Sequence, residues 1–466
     1  MSISAPKEPS AEEKFRNTLS NSFAKLNLTP LDPMAQTYRE PGRRAFRYDP
    51  RRLSESPQVA TLVRRDGLLR WEFDAGAGRI ASLSTRRAGR AALIPGEIVH
   101  QFEFEELPPN QVVEAITWLD RKLTPAAWLG HSGPLHGLRH LRNGEQDEYV
   151  LDAKSLSDKK LFVLIHGTAS HCAKLIEDVK STTPGKEFLT ALAKSRRYDA
   201  VLTFDHPTLS VSPMINAVDL AALLRIPPGT KPPKQIDIVC HSRGGLVARW
   251  FCEAFAEPAT RHRALFVGSP LAGTSLAAPA NLKKALDFVT NVTEMLEKAA
   301  DTFSAAPFVA LAGALLKIFN IVARLTSKTP LPDVVLQLVP GLAAQQRVGN
   351  NAEIDRLRRY TGNSIPTRPG LEYFAVKSNF EPTDLGWNPL GYFSKPLQRV
   401  FNASADLIFQ TENDLVVDTR GMNELADRTS LPDKNVHDFG TSATVHHTNY
   451  FRQRETVEFI RRSYDI

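Results

Sequence analysis

The 466-residue sequence predicts an α/β protein: a mostly parallel, doubly wound sheet with a helical insertion, preceded by a small β-rich module. Three observations predict it. From about Val150 onward, short apolar runs rich in β-branched residues alternate with longer helical stretches, the order that crossover connections impose on a parallel sheet. Between Gln58 and Leu107, alternating runs are separated by Asp66-Gly67 and Ala75-Gly76-Ala77-Gly78, the punctuation of hairpins. Within Ile236–Arg249, a β-branched run passes into a helical one through a tight turn with Ser242 at its tip.

In chain order, residues 1–56 are rich in Pro, Ser, Arg and Lys with little periodicity and are expected to be irregular and mobile. Residues 57–150 form the β-rich module. Ala60–Val63 and Leu68–Phe73 read as its strands, Val112–Leu123 has helical spacing, and Trp128–Gly144 reads as the connector to the next domain. Residues 151–466 form the large domain, with strands expected at 161–165, 199–204, 236–240, 264–267, 371–377 and 435–439 and helices between them. Residues 276–347 are too long for a connector and read as a helical lid insertion, amphipathic over Leu282–Ala299 and Phe308–Ala323 and punctuated by proline over Thr329–Pro340. The most apolar stretch, Ser304–Arg324, is broken by Pro307, Gly313, Lys317 and Asn320 and falls short of the ~20 residues a membrane span needs.

Composition narrows the function classes. The formal charge is +7, and residues 38–90 alone hold thirteen Arg against six acidic residues, which accounts for the whole excess. These arginines are scattered among apolar residues without a recognition motif, so a solvated face or a protein-partner surface is expected and no nucleic acid. Three cysteines, Cys172, Cys240 and Cys252, neither build a disulfide framework nor match a zinc spacing, and no secretion signal opens the chain. A cytoplasmic protein without metal or cofactor is expected.

The chemistry concentrates at the turn. Gly244 and Gly245 leave space where the helix must pass the strand, so Ser242 is held exposed and strained, as a nucleophile elbow requires. The strand Leu161–Ile165 runs into His166-Gly167-Thr168, whose glycine lets the chain turn and aim amides at a developing oxyanion; the two donors expected are Thr168 and Arg243. His166 reads as a shaper of that loop, and His241 as a packing residue. A serine needs a histidine base, and the base needs an acid, in the chain order Ser, acid, His. Asp414, just before the apolar Leu415-Val416-Val417, is the expected acid, with Asp384 and Asp406 as alternatives and Glu412 and Asp418 as surface residues. Adjacent His446 and His447 supply the base, and only one of them can face Ser242.

Leu161–Ser170, Cys240–Arg249, Gly268-Ser269-Pro270-Leu271-Ala272-Gly273-Thr274 and Glu412–Val417 together resemble the lipase-type branch of the α/β-hydrolase superfamily, which includes bacterial triacylglycerol lipases and GPI inositol-deacylase-like esterases. A closer likeness is to bacterial α/β-hydrolases that occur with caspase-like CHAT proteins, carried by Phe204–Ser210, Asn216-Ala217, the His-Ser-Arg-Gly-Gly elbow, Asn413–Val417 and His447–Phe451. The likeness covers residues 158–462. It implies a doubly wound sheet, a Ser242, Asp414 and His447 triad, an oxyanion hole at Thr168 and Arg243, lid helices and no metal. Two departures stand out: Cys240 replaces the usual first glycine of the motif, and a long insertion separates the strand at 371–377 from Asp414.

The expected function is therefore a serine hydrolase cleaving a carboxylic ester through an acyl-enzyme. Because the insertion is rich in Ala, Leu, Phe and Val, a lipid-like ester and peripheral membrane contact through the lid are expected. The rivals are an acyltransferase and a silent or gated scaffold that serves as an interaction module.

Overall fold

An eight-stranded sheet dominates the computed structural model. Its strands, in chain order, are β1 (Gly137–Arg142), β2 (Glu145–Tyr149), β3 (Lys160–Ile165), β4 (Ala200–Asp205), β5 (Gln235–His241), β6 (Arg261–Val267), β7 (Leu371–Phe380) and β8 (Val436–Ser442). The spatial order is β8-β7-β6-β5-β3-β4-β1-β2. All neighbours from β8 to β4 run parallel, while β1 pairs antiparallel with β4 and β2 antiparallel with β1. The structure describes residues 10–31, 59–65, 67–73, 97–104, 112–123, 136–150, 152–225, 229–278, 281–298, 306–326, 339–347, 349, 351–361, 369–381 and 412–466.

Strands β3 to β7 are largely buried on both faces, which is why they read as nearly continuous apolar runs, whereas the edge strand β8 is partly exposed along its length. Along β3, Leu161, Val163 and Ile165 enter one core with Ile238, Phe266, Leu246 and Trp250. Phe162 and Leu164 enter the opposite core with Val239, Leu265, Phe188 and Ile460. Period-two alternation therefore feeds two helical layers, the doubly wound arrangement of an α/β-hydrolase fold. The flanking helices are α1 (Val112–Leu123), α2 (Cys172–Lys180), α3 (Thr183–Lys194), α4 (Pro213–Leu223), α5 (Gly244–Trp250), α6 (Ala352–Thr361) and α7 (Arg454–Tyr464). Each of the six expected strands is present, within a few residues of its expected bounds.

The described residues divide into two compact units: those within 116–281, 336–386 and 406–466 form the larger, and those within 1–115 and 282–335 the smaller. This differs from the expected domain boundaries in three places. The hairpin β1-β2 belongs to the large sheet, so the connector expected at 128–144 is partly a strand; a hairpin added to the edge of a parallel sheet has the same alternation as one in a separate module. Ala11–Ala24, expected to be irregular, is a helix with a capping box, in which the Ser10 side chain accepts from Glu13 N and the Glu13 carboxylate accepts from Ser10 N. It buries Phe15, Leu19 and Phe23, one residue per turn.

The third difference concerns the insertion. Its two helices, Leu282–Lys298 and Ala306–Thr326, belong to the smaller unit with the N-terminal strands. That unit holds a four-stranded antiparallel sheet in the order Leu28–Leu31, Glu97–Phe104, Val59–Arg65, Leu68–Phe73. The Asn291 side chain takes both backbone groups of Leu69, accepting from its N at 2.9 Å and donating to its O at 2.7 Å, and Asp287 accepts from Trp71 N at 2.8 Å. These polar side chains close the open edge of the last strand. Leu286, Val289 and Val292 are buried. Residues 75–78 and 329–338, Asp384, Asp406 and most of the arginine-rich stretch lie outside the described residues. Among the described residues, no helix is long and apolar enough to cross a membrane.

Candidate active site

β5 is buried over most of its length and stops at His241; α5 starts at Gly244. Ser242, between them, has φ 53°, a left-handed conformation that costs a side-chain-bearing residue free energy. Backbone bonds hold it there: Ser242 N donates to Val267 O and Gly245 N to Ser242 O, each at 2.9 Å. A Cβ at Gly244 would lie 2.6 Å from His166 O and 2.9 Å from Ile165 O, both backbone atoms with little freedom to move. Cys240, at the position usually held by glycine, is wholly buried and its thiol donates to Leu265 O at 3.3 Å, so a small side chain is accommodated there.

The structure brings the expected acid and one of the two histidines to this serine. Ser242 Oγ donates to His447 Nε2 at 2.9 Å, and His447 Nδ1 donates to Asp414 Oδ2 at 2.8 Å. Asp414 is fully buried and well supplied with donors: Oδ1 accepts from Val416 N (3.1 Å) and Val417 N (2.8 Å), and Oδ2 accepts from the Tyr450 hydroxyl (3.0 Å). Such a set keeps the carboxylate fixed in orientation. Burial, with Asp414 beside it, pushes the Tyr450 hydroxyl well above its ordinary range, so it keeps the proton it donates. The backbone ties the two loops together through His447 N to Asp414 O at 3.0 Å.

Of the oxyanion candidates, Thr168 follows β3 and Arg243 follows Ser242. No described residue accepts a hydrogen bond from either amide. Gly167 allows the loop to approach the nucleophile, since a Cβ there would sit 2.8 Å from Ser242 Cβ. The Thr168 hydroxyl donates to Gln345 Oε1 at 2.9 Å. The Arg243 guanidinium is buried and donates to Val211 O (2.5 Å) and Asn216 Oδ1 (2.8 Å); burial lowers its pKa to about 10.

Three further histidines, His166, His241 and His446, are held neutral by burial. His166 donates from Nδ1 to Gly167 O at 2.9 Å and accepts at Nε2 from His206 N at 3.1 Å, and burial lowers its pKa to about 4. His241 donates from Nε2 to His447 O at 2.8 Å, and burial lowers its pKa to about 3. The His446 ring lies edge-on to Phe380 with the Thr448 hydroxyl 3.3 Å from its Nδ1, its backbone N donates to Asn449 Oδ1 at 2.9 Å, and burial lowers its pKa to about 3. Asp418, expected at the surface, is buried and pairs with Arg347 at 2.5 Å while accepting from Ser275 N at 3.2 Å, because it closes the loop that presents Asp414. Sequence reasoning gave no role to Tyr450 or Gln345. Tyr450 lies three residues after His447, a signal within reach; Gln345 has no local signature. Among the described residues, no group of three His, Cys, Asp or Glu side chains is placed to hold a metal ion.

The sheet with parallel strands β3 to β8, with a serine at φ 53° on the strand-to-helix turn after β5, is the architecture of an α/β-hydrolase fold. The chain belongs to the family described as a domain of unknown function, DUF7379, whose model matches residues 136–465. That match begins one residue before β1. No curated protein matches the chain. Among solved structures it is similar to the mature lipase BlEst2 of Bacillus licheniformis, at 15% identity over 66% of this chain and 92% of that one with a TM-score of 0.35. It is also similar to lipase 1 from Pelosinus fermentans (12% identity, 65% and 98% covered, TM-score 0.36) and to the esterase Pf2001 of Pyrococcus furiosus (14%, 92% and 98%, 0.28).

Proposed function

We propose that this protein is a serine hydrolase that cleaves a carboxylic ester. The observation that carries the reading is the continuous hydrogen-bonded chain from Ser242 Oγ through His447 to Asp414. In the proposed reaction, His447 Nε2 takes the Ser242 proton as Oγ attacks the acyl carbonyl. The Thr168 and Arg243 amides hold the oxyanion, and Asp414 stabilises the imidazolium without taking its proton. His447 then protonates the departing alkoxide; in the second half-reaction water loses a proton to the same nitrogen as it attacks the acyl carbonyl, and His447 gives that proton to Ser242 Oγ as the acyl bond breaks.

A lipid-like acyl group was expected from the apolar insertion. Leu286, Val289 and Val292 of that insertion are buried, and the hydrogen-bonded chain from Ser242 supports the ester bond as the point of attack. The test is hydrolysis of p-nitrophenyl esters from short to long acyl chains by wild type and Ser242→Ala. Wild-type turnover is expected, with kcat lowered about 10⁴-fold or more in the variant. Equal rates in the two proteins, or none in either on every ester, would overturn the reading.

A further inference from the structure

Asp120 lies in α1, before the residues matched by the family model, and belongs to none of the motifs above. It is 2% exposed, and its carboxylate is wrapped by one short stretch of backbone. Oδ1 accepts from Thr208 N (2.8 Å), the Thr208 hydroxyl (3.2 Å) and Leu209 N (2.9 Å). Oδ2 accepts from Leu209 N (3.1 Å), Ser210 N (2.7 Å) and the Ser210 hydroxyl (2.6 Å). Three successive amides around one carboxylate form an anion-binding concavity filled by a side chain of the same chain.

The consequence lies in the Thr208 hydroxyl. A hydroxyl has one proton; with that proton committed to Asp120, the oxygen is left as an acceptor, and it accepts from Ala169 N at 3.1 Å. Ala169 has φ 50°, a strained conformation, and directly follows Thr168. The relay from Asp120 through Thr208 thus ends one peptide away from the amide assigned to the oxyanion. The same segment is held at its other end by the side chain of Arg243, through Val211 O and Asn216 Oδ1, and the Arg243 main-chain amide is the second oxyanion donor. Between them, Leu209 O accepts from Gly341 N at 2.9 Å.

We infer that Asp120 is a positioning residue for the oxyanion hole, acting through Thr208 on the conformation of residues 167–169; this rests on the serine-hydrolase reading above. The segment 208–216 is a strap that holds the residue after one donor and the side chain of the other, and Asp120 fixes its first end from outside the family's own span. Such a residue does not touch substrate. Its loss affects the transition state, where charge sits on the oxygen, more than the ground state.

The experiment uses the full chain with Asp120→Asn, Thr208→Val and Thr208→Ser. It reads kcat and KM on p-nitrophenyl butyrate, the rate of Ser242 labelling by a fluorophosphonate, and Tm. Asp120→Asn and Thr208→Val are expected to lower kcat and the labelling rate by about 10- to 100-fold with KM within about threefold, a fraction of what loss of a whole oxyanion donor costs. Thr208→Ser, which keeps the hydroxyl, is expected to stay within about threefold of wild type, and the double variant Asp120→Asn/Thr208→Val to lose less than the product of the two, since both cut one relay. Folded Asp120→Asn and Thr208→Val proteins with wild-type kcat and labelling rate, or with losses confined to Tm, would overturn the inference while leaving the hydrolase reading intact. A wild type that is neither labelled nor active removes the hydrolase reading and this one with it. Should Asp120→Asn fail to fold, the Thr208 pair decides alone, because Thr208→Val leaves the three amides on Asp120 in place.

Discussion

Ser242 and its two partners reach the same hydrogen-bonded chain by different routes. The serine is delivered by its sequence neighbours: β5 ends one residue before it, α5 begins two residues after it, and Gly244 lets that helix pass the backbone of His166. Asp414 and His447 come from separate loops, joined by His447 N to Asp414 O, the Val416 and Val417 amides and the Tyr450 hydroxyl. One side is shaped by excluded volume and the other by polar bonds. The two sides should therefore fail in different ways: the elbow when bulk is added, the loops when a bond is removed.

The sharpest test of the polar side is its pair of adjacent histidines. His447→Ala is expected to lower kcat by about 10⁴-fold or more, as loss of a triad base does. His446→Ala is expected to leave kcat of the folded protein within about tenfold of wild type and to cost about 1–3 kcal/mol of stability, because it removes a buried ring that packs on Phe380 while Ser242 is bonded to His447. Parallel kinetics and thermal melts of the two variants check this; a reversed order would reassign the base. On the volume side, Gly244→Ala places a methyl against two carbonyl oxygens. It is expected to cost about 1–3 kcal/mol and to lower activity in step with the displaced serine, which melts and labelling rates would register. An undisturbed Gly244→Ala protein would show that the elbow has slack.

The smallest effect separates the sides by pH. His166, His241 and His446 are held neutral by burial, with pKa values lowered from 6.5 to about 4, 3 and 3. The unfolded chain binds protons below about pH 6.5 while the folded chain does not, so stability is full above that range and is lost as pH falls toward 4. Thermal melts between pH 7.5 and 4.5 are expected to show Tm declining below pH 6.5, with a shallower decline in His446→Ala. A Tm independent of pH across that window would contradict the neutral assignments.

The same contrast governs how much was legible in the sequence. Ser242 and strands β3 to β7 announce themselves locally, because a strand buried on both faces must be apolar and an elbow must have small residues after its serine. β6 starts at Arg261, earlier than expected, because Arg263 is buried against Asp237 and the run has no apolar signature there. Asp414 was visible as a carboxylate ahead of Leu-Val-Val, though the reason it works, two amides folding back onto it past Leu415 at φ 82°, is tertiary. His447 was separated from His446 only by family likeness. The helices at 282–326 show apolar stripes that name no partner, and only the structure assigns them to the N-terminal strands. The helix at Ala11–Ala24 carried its capping-box signature in Ser10 and Glu13, in a stretch whose composition argued for disorder.

Cys172, Cys240 and Cys252 are buried and form no disulfide, and burial pushes the Cys172 and Cys240 thiols well above the ordinary range. Cys240 sits two residues from the nucleophile, so an alkylating reagent reaches it only when the sheet beneath the serine opens. The protein thus carries its own stopwatch: the rate of thiol capture under native conditions reports how often that part of the fold comes apart, with no engineered label required.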